Sequence, residues 1–401
     1  MAAPAGSSVS ALAVRLRKRR LTALTAEVSQ QVLAALPELP GSEVVTVAEM
    51  REACSLSIEQ MLCELTGEDQ RISLIDTGRR RAQQRVPVEW MLHNFRLCAR
   101  TIWHGLVREA ACSGDGGAHQ LLEEAAVVWD ALDRVSTVVT RAYRIERKRL
   151  RRTEQRRREQ VLSALLERAP TAHGADEEAA EVLGIPPRGP RVVVVSSVGS
   201  GHPTTALRSA GYTSAWVTQG ARDVGLIACG AADDLPDLTA ILERCLPGSV
   251  TVSPLIDGFE DVATAYRLTA LALRTLPSGH QGITRVTDRL PHTMIAAAPE
   301  VSDVLVRHTL GGLLTMRAGD LEIYLATLEA LVDADGSFAA AARKLYCHRN
   351  TVLKRAHRIE ALTGRKLTST RALLELYLAV LAVRMDTAPM RPCRDLSRHD
   401  G

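Results

Sequence analysis

The sequence predicts a multidomain, mainly α chain: an N-terminal helical bundle, a central α/β domain and a C-terminal all-α domain. Three observations carry this. Residues 8 to 168 hold apolar positions at helical spacing and few β signals. Val192-Val193-Val194-Val195 marks a buried strand in the middle of the chain. Near the C-terminus two short helical stretches flank a tight turn. At 401 residues the chain can form two to four domains, each burying a core.

Composition narrows the function classes. Aromatics make up 3%, so the cores are built mainly from Ala, Leu and Val. The net charge is +4, and any affinity for nucleic acid must come from local clusters. No apolar run is long enough to span a bilayer. In Met1 to Arg20 the charges follow a short apolar stretch, the wrong order for a signal peptide. Eight cysteines lie scattered without Cys-x-x-Cys spacing, which argues against a zinc site or disulfide framework and for a reducing cytoplasm.

In the N-terminal part, Pro87 can occupy the first turn of a helix. Val88, Met91, Leu92, Phe95, Ala99, Ile102, Trp103 and Leu106 then form one apolar stripe. His93, Arg96, Arg100 and His104 lie on another face, read as solvated or, more sharply, as an anion or partner-protein site. A haem ligand among His93, His104 and His119 has only lone histidines in its favour. Ala125, Val128, Leu132, Val135, Val139 and Ala142 make a short seam suited to packing or dimerisation. Arg144 to Arg158 is strongly basic and reads as an exposed connecting helix, with auxiliary phosphate contact as the lesser alternative. Pro170 to Asp176 reads as a linker, and Pro186-Pro187-Arg188-Gly189-Pro190 as another break.

In the central part, Gly199-Ser200-Gly201-His202-Pro203 follows the first strand and leads toward a helix at Thr204. The loop lacks Gly-Lys-Ser/Thr, and Pro203 removes an amide donor, so a plain strand-to-helix turn outweighs a phosphate cradle. Ala215-Trp216-Val217 and Val224 to Ala228 are expected to pair as a hairpin around Gln219 to Asp223. A helix over Leu238–Leu246, a strand over Ser249–Ser253 and a helix over Phe259–Leu276 follow.

In the C-terminal part, Asp335-Gly336-Ser337 ends one element, and Ser337 can cap the next. Phe338 to Leu345 is Ala-rich, Tyr346-Cys347-His348 is a turn, and Val352, Ala356, Ile359 and Leu362 recur at helical spacing up to a stop at Gly364. Two short helices joined by a tight turn can read a DNA major groove. Lys344, Lys354, Arg355 and Arg358 supply phosphate-neutralising charge, and Arg365 is expected to contact phosphate. Asn350 can pair with adenine, and Arg349 or Arg355 with guanine; Thr351 can reach a phosphate or a thymine methyl, and His348 stands beside them. Charge alone does not separate this from a solvated basic helix pair.

A resemblance separates them. Ala341-Ala342, His348-Arg349-Asn350-Thr351-Val352, Arg355, Arg358-Ile359 and Leu362-Thr363-Gly364 resemble the C-terminal helix-turn-helix of PucR/CdaR-type bacterial transcription regulators. Lys354 and Ala356 depart from that pattern, where an aromatic and a larger aliphatic residue are usual. Gly78-Arg79-Arg80-Arg81-Ala82-Gln83-Gln84-Arg85-Val86-Pro87, with Phe95-Arg96 and Trp103, resembles the N-terminal helical domain of RsbR-type stressosome proteins. That implies a sensory or interaction module without catalysis. The element order of the centre is similar to a degenerate GGDEF-like domain. Gly220-Ala221-Arg222-Asp223-Val224 would then stand at the cyclase motif. Arg222 would replace an acid there, and Ser196-Ser197 would stand where a metal-binding carboxylate is needed.

The resemblance implies a transcription regulator that binds double-stranded DNA and answers a small-molecule effector or signalling protein. The scattered cysteines place it in the cytoplasm, the missing carboxylates make it non-enzymatic, and the few base-reading side chains of one helix-turn-helix call for a homodimer or higher oligomer. The DNA-contacting set is Ser337, Lys344, His348, Arg349, Asn350, Thr351, Lys354, Arg355 and Arg358. No cofactor, metal ion or catalytic residue is called for. The expected divisions are 1–150, a connecting helix and linker at 151–189, the α/β domain at 190–300, the helix-turn-helix domain at 301–388 and a disordered tail at 389–401. The alternatives are a stressosome-like scaffold and a nucleotide-binding protein without cyclase activity.

Overall fold

The computed structural model describes residues 8–35, 46–69, 71–112, 117–167, 176–196, 201–230 and 235–385. Gly199-Ser200, the 389–401 tail, the first residues of the Met1–Arg20 stretch and most of the expected Pro170–Asp176 linker lie outside them. The chain divides into two compact units, Met1–Gln155 and Arg156–Gly401.

The first unit is helical: α1 (Ser8–Ala35), α2 (Val47–Leu65), α3 (Arg71–Gln83), α4 (Val88–Ala111), α5 (Gly117–Glu123) and the first part of α6 (Ala125–Glu167). Thr46 caps α2 in a capping box with Glu49, satisfying two amides that the helix itself leaves unbonded. One core gathers Leu12 and Leu16 of α1, Ile58 and Leu62 of α2, Phe95 and Ile102 of α4, and Val135 and Val139 of α6. Of the α4 stripe, Met91, Phe95, Ile102 and Leu106 are buried and Val88, Leu92, Ala99 and Trp103 half-buried at its edge, while Asn94, Cys98, Thr101 and Gly105 shift the buried face. Asn94 avoids the cost of an unpaired buried amide by donating to Ser57 Oγ at 3.1 Å. Arg96, Arg100 and His104 are exposed and His93 half-buried, the solvated face of the bland reading.

The Ala125–Ala142 seam is not a free surface. Val128, Leu132, Val135 and Val139 are fully or nearly fully buried within this unit, so the seam serves intramolecular packing. Periodicity alone could not choose between the two uses, because both bury the same stripe. The sharpest packing constraint lies at Gly78. A Cβ there would run into the Val139 carbonyl oxygen and come within 2.7 Å of Ala142 Cβ. Only a glycine lets α3 approach α6 this closely.

In the second unit the sheet order is β2-β3-β1-β4-β6, with β5 also pairing β1. The strands are β1 (Arg188–Ser196), β2 (Thr213–Gln219), β3 (Arg222–Ala228), β4 (Ser249–Val252), β5 (Ile256–Gly258) and β6 (Gly282–Arg285). The helices over this stretch are α7 (Asp176–Leu183), α8 (Thr204–Ser209), α9 (Leu235–Cys245) and α10 (Val262–Arg274). The expected hairpin is β2–β3, closing on the pair Gln219–Arg222. Both faces of β1 are covered, which explains its unbroken valines. Val193 and Val195 join a core with Leu162, Leu165 and Leu166 of α6, Leu183 of α7 and Phe259, while Val192 and Val194 join one with Leu207, Leu238 and Leu242.

Two readings change here. Residues 186–190 are not a plain break: β1 already begins at Arg188, and an irregularity between Arg188 and Arg191 lets β5 pair with it. The fully buried Arg191 holds that irregularity by donating to the Gly189 and Asp257 carbonyls at 3.0 Å each, its guanidinium lying over the Phe259 ring. The 151–189 stretch is not merely a connector either, because its apolar end forms one side of the sheet's core. The strands β5 and β6 escape sequence reading because, unlike the equally short β4 with its buried run, they carry no run of buried apolar residues.

The chain ends in α11 (Leu290–Ala297), α12 (Pro299–Leu314), α13 (Ala318–Val332), α14 (Phe338–Lys344), α15 (Arg349–Thr363) and α16 (Thr370–Met385). Their core joins Leu310 and Leu313 of α12, Leu325 and Leu328 of α13, Ala341 and Ala342 of α14, Val352, Ala356 and Ile359 of α15, and Leu376 and Val380 of α16. Ile295 of α11 packs with Leu381 and Ala382 of α16, which ties a helix from the expected 190–300 division to the C-terminal bundle.

Replacement of Gly78 by Ala should destabilise the protein by about 1–3 kcal/mol, the range for overpacking a tight contact. Denaturant unfolding of the full chain measures this. An unchanged midpoint for the unfolding of the helical unit would contradict the close approach.

Candidate nucleic-acid interface

Helix α14 starts at Ser337, whose Oγ accepts from the Ala340 amide at 3.3 Å. Its seven residues are short of what an isolated helix needs, so burial of Ala341 and Ala342 must hold it. The turn that follows puts Tyr346 at φ 50° with its side chain 97% exposed. A non-glycine residue in the left-handed region is strained and enriched at functional sites. Sequence reading treated Tyr346 only as part of a turn, and spacing offers no signal for backbone strain.

Helix α15 begins after His348, whose Nδ1 accepts from the Asn350 amide at 3.2 Å. It ends at Gly364 in the left-handed conformation, with the Gly364 amide donating to the Glu360 carbonyl. Val352, Ala356 and Ile359 are buried, which fixes the rotation of the helix about its axis. At about 100° per residue, the opposite face carries Asn350, Lys354, His357 and Arg358. All four are exposed. His357 was not among the expected contacts, although the same spacing places it there. A second constraint seats α15: a Cβ at Gly312 would run into the Leu362 carbonyl oxygen, so α12 can approach only through a glycine.

The expected set divides on this geometry. Arg349 is exposed at the first turn, and Thr351 is half-buried beside it. Arg355 is half-buried on the flank of the helix and does not face squarely outward. Ser337 and His348 are spent on capping. Lys344 Nζ lies 2.5 Å from Asp333 Oδ2. Among the described residues Arg349, Lys354, Arg355 and Arg358 make no ion pair, which leaves their charge unneutralised within the fold. Arg365 corrects an expectation: it pairs with Glu375 of α16 and its side chain is only 18% exposed, so it braces the bundle. The apolar stretch of α16 is also largely used up internally. Leu376, Val380 and Leu381 are buried, and only Leu374 is well exposed.

Three family models match this chain. "RsbT co-antagonist protein rsbRD N-terminal domain" covers residues 22–158, "GGDEF-like domain" residues 167–275, and "PucR C-terminal helix-turn-helix domain" residues 324–382. They follow one another in the order of a known class of regulator. The chain has the PucR/CdaR-type architecture. Its helix-turn-helix match points to a DNA-binding regulator. No curated protein matches the chain. Among solved structures, a regulator of polyketide synthase expression from Bifidobacterium adolescentis matches 57% of this chain and 98% of its own at 18% identity, with a TM-score of 0.32.

The PucR-type match contains the whole of α14 and α15, and the GGDEF-like match contains the β2–β3 hairpin. In that hairpin Asp223 is buried. It accepts from Thr218 Oγ1 at 2.7 Å, and His202 Nε2 lies 3.5 Å away, with the His202 ring stacked on Trp216. Ser196 ends β1 as expected, opposite Asp223 in register, whereas Gln219, Arg222 and Asp223, expected in the hairpin turn, already pair within β2 and β3. Among the described residues no group of three His, Cys, Asp or Glu side chains could hold a metal ion. No helix among them is long and apolar enough to cross a membrane.

Glu360 clips the end of α15. It accepts from the Leu367 amide at 2.9 Å and faces Lys366 at 3.4 Å. The amide, then the lysine, hold its carboxyl below the ordinary carboxylate value. A carboxyl depressed by folding stabilises above its unfolded value, near 4.3, and that contribution is lost as pH falls through the folded value. Amide exchange at Leu367 should therefore accelerate as pH falls below about 4, after correction for intrinsic rates. In Glu360→Gln it should be faster at neutral pH and show no such step. Protection unaffected by the substitution would remove the clip.

Proposed function

We propose that this protein is a cytoplasmic, sequence-specific transcription regulator. Its C-terminal bundle reads double-stranded DNA, with α15 as the recognition helix. The single observation that carries this reading is the outward face of α15. Asn350, Lys354, His357 and Arg358 are exposed there, on a helix rigidly seated by its opposite face. Cations that the fold leaves unpaired are available to phosphates, and an exposed asparagine on the same face is available to a base edge. Arg349, Thr351 and Arg355 flank this face. Ser337, His348 and Lys344 contribute by fixing the helix ends and the α13–α14 junction, and their groups remain near enough to the surface to meet phosphate.

The first unit receives the signal, from a small molecule or a signalling protein, and the α/β region relays it without chemistry. With Arg222 and Ser196 in place of acids, Mg²⁺ has too few carboxylates for phosphoryl transfer. One helix-turn-helix offers few base-reading side chains, so the protein acts as a homodimer or higher oligomer on an inverted repeat. The dimer contact lies elsewhere than the buried α6 seam.

Selection of duplexes from a randomised library by the purified full chain tests this reading. Against the selected duplex, Asn350→Ala should lose about 1–3 kcal/mol of discrimination over scrambled sequence. Tyr346→Gly gives a second, sharper test. Glycine relieves the left-handed strain, so stability should hold or rise, whereas duplex affinity should fall because the exposed ring is lost. Failure to enrich any sequence, or wild-type discrimination in Asn350→Ala, would dismiss α15 as the reader. Incubation with GTP and Mg²⁺ should yield no cyclic dinucleotide.

A further inference from the structure

The basic run of α6 is left over once α15 has been assigned. Within the first unit, Val139, Ala142, Tyr143 and Glu146 are buried, which defines the inward face of this stretch. At about 100° per residue, Arg144, Arg147, Lys148, Arg151 and Arg152 all fall within roughly 140° on the opposite side. Four of the five are exposed and Arg147 is half-buried. No acid shares that arc between positions 144 and 152. Glu146 is turned inward, where Gln83 Nε2 donates to it at 3.2 Å and Arg149 lies 3.7 Å away. Among the described residues none of the five makes an ion pair.

This arrangement works against the helix. Arg144 and Lys148, Lys148 and Arg152, and Arg147 and Arg151 are like-charge neighbours four residues apart, each pair unfavourable by a few tenths of a kcal/mol. A helix that only needed to stay solvated would interleave acids on this face. Charge density indicates what offsets the repulsion. Positions 144 to 152 span about 12 Å at 1.5 Å per residue, so the five cations fall at about one per 2.4 Å. Duplex DNA carries one phosphate charge per about 1.7 Å of its axis. Four of the five are Arg, whose planar fork matches phosphate oxygens better than an ammonium does. An interfacial membrane helix would need an apolar face beside the cations. Here Ile145 is the one exposed large hydrophobic residue within the stretch, and the remaining apolar side chains are turned inward or half-covered.

We propose that this face of α6 is a second, sequence-independent contact with duplex DNA. It rests on the DNA-binding reading for its biological setting. Physically it is a separate surface, with its own residues and its own salt signature. It supplies affinity, and α15 supplies preference.

The test compares the full chain with Arg144→Gln, Lys148→Gln, Arg151→Gln and Arg152→Gln combined, on the library-selected duplex and on a scrambled one, across a salt series. All four positions are at the surface, and circular dichroism checks that the helix persists. The slope of log affinity against log salt should become shallower by about 3–4, at 0.9 per lost phosphate contact. Both duplexes should weaken alike, with their ratio unchanged. The same substitutions in an Asn350→Ala, Lys354→Ala background should abolish the residual, unselective binding. An unchanged slope on both duplexes overturns the proposal, as does an absence of any duplex binding by wild type. If wild type binds duplex without preference and the quadruple variant loses that binding, this contact stands and the α15 reading falls. If preference is present and the quadruple variant behaves as wild type, the α15 reading stands and this one falls.

Discussion

Everything at the candidate interface depends on the burial of three side chains, Val352, Ala356 and Ile359. They are small or of moderate size, and they sit against the equally small Ala341 and Ala342. A stripe this narrow leaves α15 one rotation that removes its apolar atoms from water. That rotation turns Asn350, Lys354, His357 and Arg358 to solvent. Close approach adds the second restraint, because Gly312 lets α12 contact the Leu362 backbone directly. The helix is held as a rigid element, as a reader of base edges needs to be.

Charge is distributed by the same logic. Where a cation can serve the fold, it is paired. Arg384 reaches Glu322 and Glu329, Arg365 and Arg371 share Glu375, and Arg134 meets Glu64. On the outward faces of α15 and of the middle of α6 the cations have no such partners among the described residues. A chain with a net charge of only +4 thus carries two local concentrations of positive potential.

Core membership does not follow the boundaries that composition implies. Leu162, Leu165 and Leu166 belong to the sheet's core, although they end a helix whose first half belongs to the helical unit. Ile295 likewise joins the C-terminal bundle. Linker-like composition marks where chain direction can change, but burial decides which core a segment joins.

The sequence by itself determined most of the local structure, including the helix-turn-helix. Helical spacing placed α4, α15 and the seam of α6, the valine run placed β1, and Ser337 and Gly364 marked helix ends through capping chemistry that is local in the chain. The exposure of Asn350 followed from the same period, while that of Arg355, half-buried on the flank, did not. Tertiary structure decided which surfaces remain available. Whether the α6 seam faces a second copy or its own core, and whether Arg365 meets phosphate or Glu375, depend on contacts between residues distant in sequence. The strain at Tyr346 and the close approaches at Gly78 and Gly312 were also beyond it. Periodicity reports only that a face is apolar or charged, whereas the partner that covers or neutralises it is chosen by packing in three dimensions.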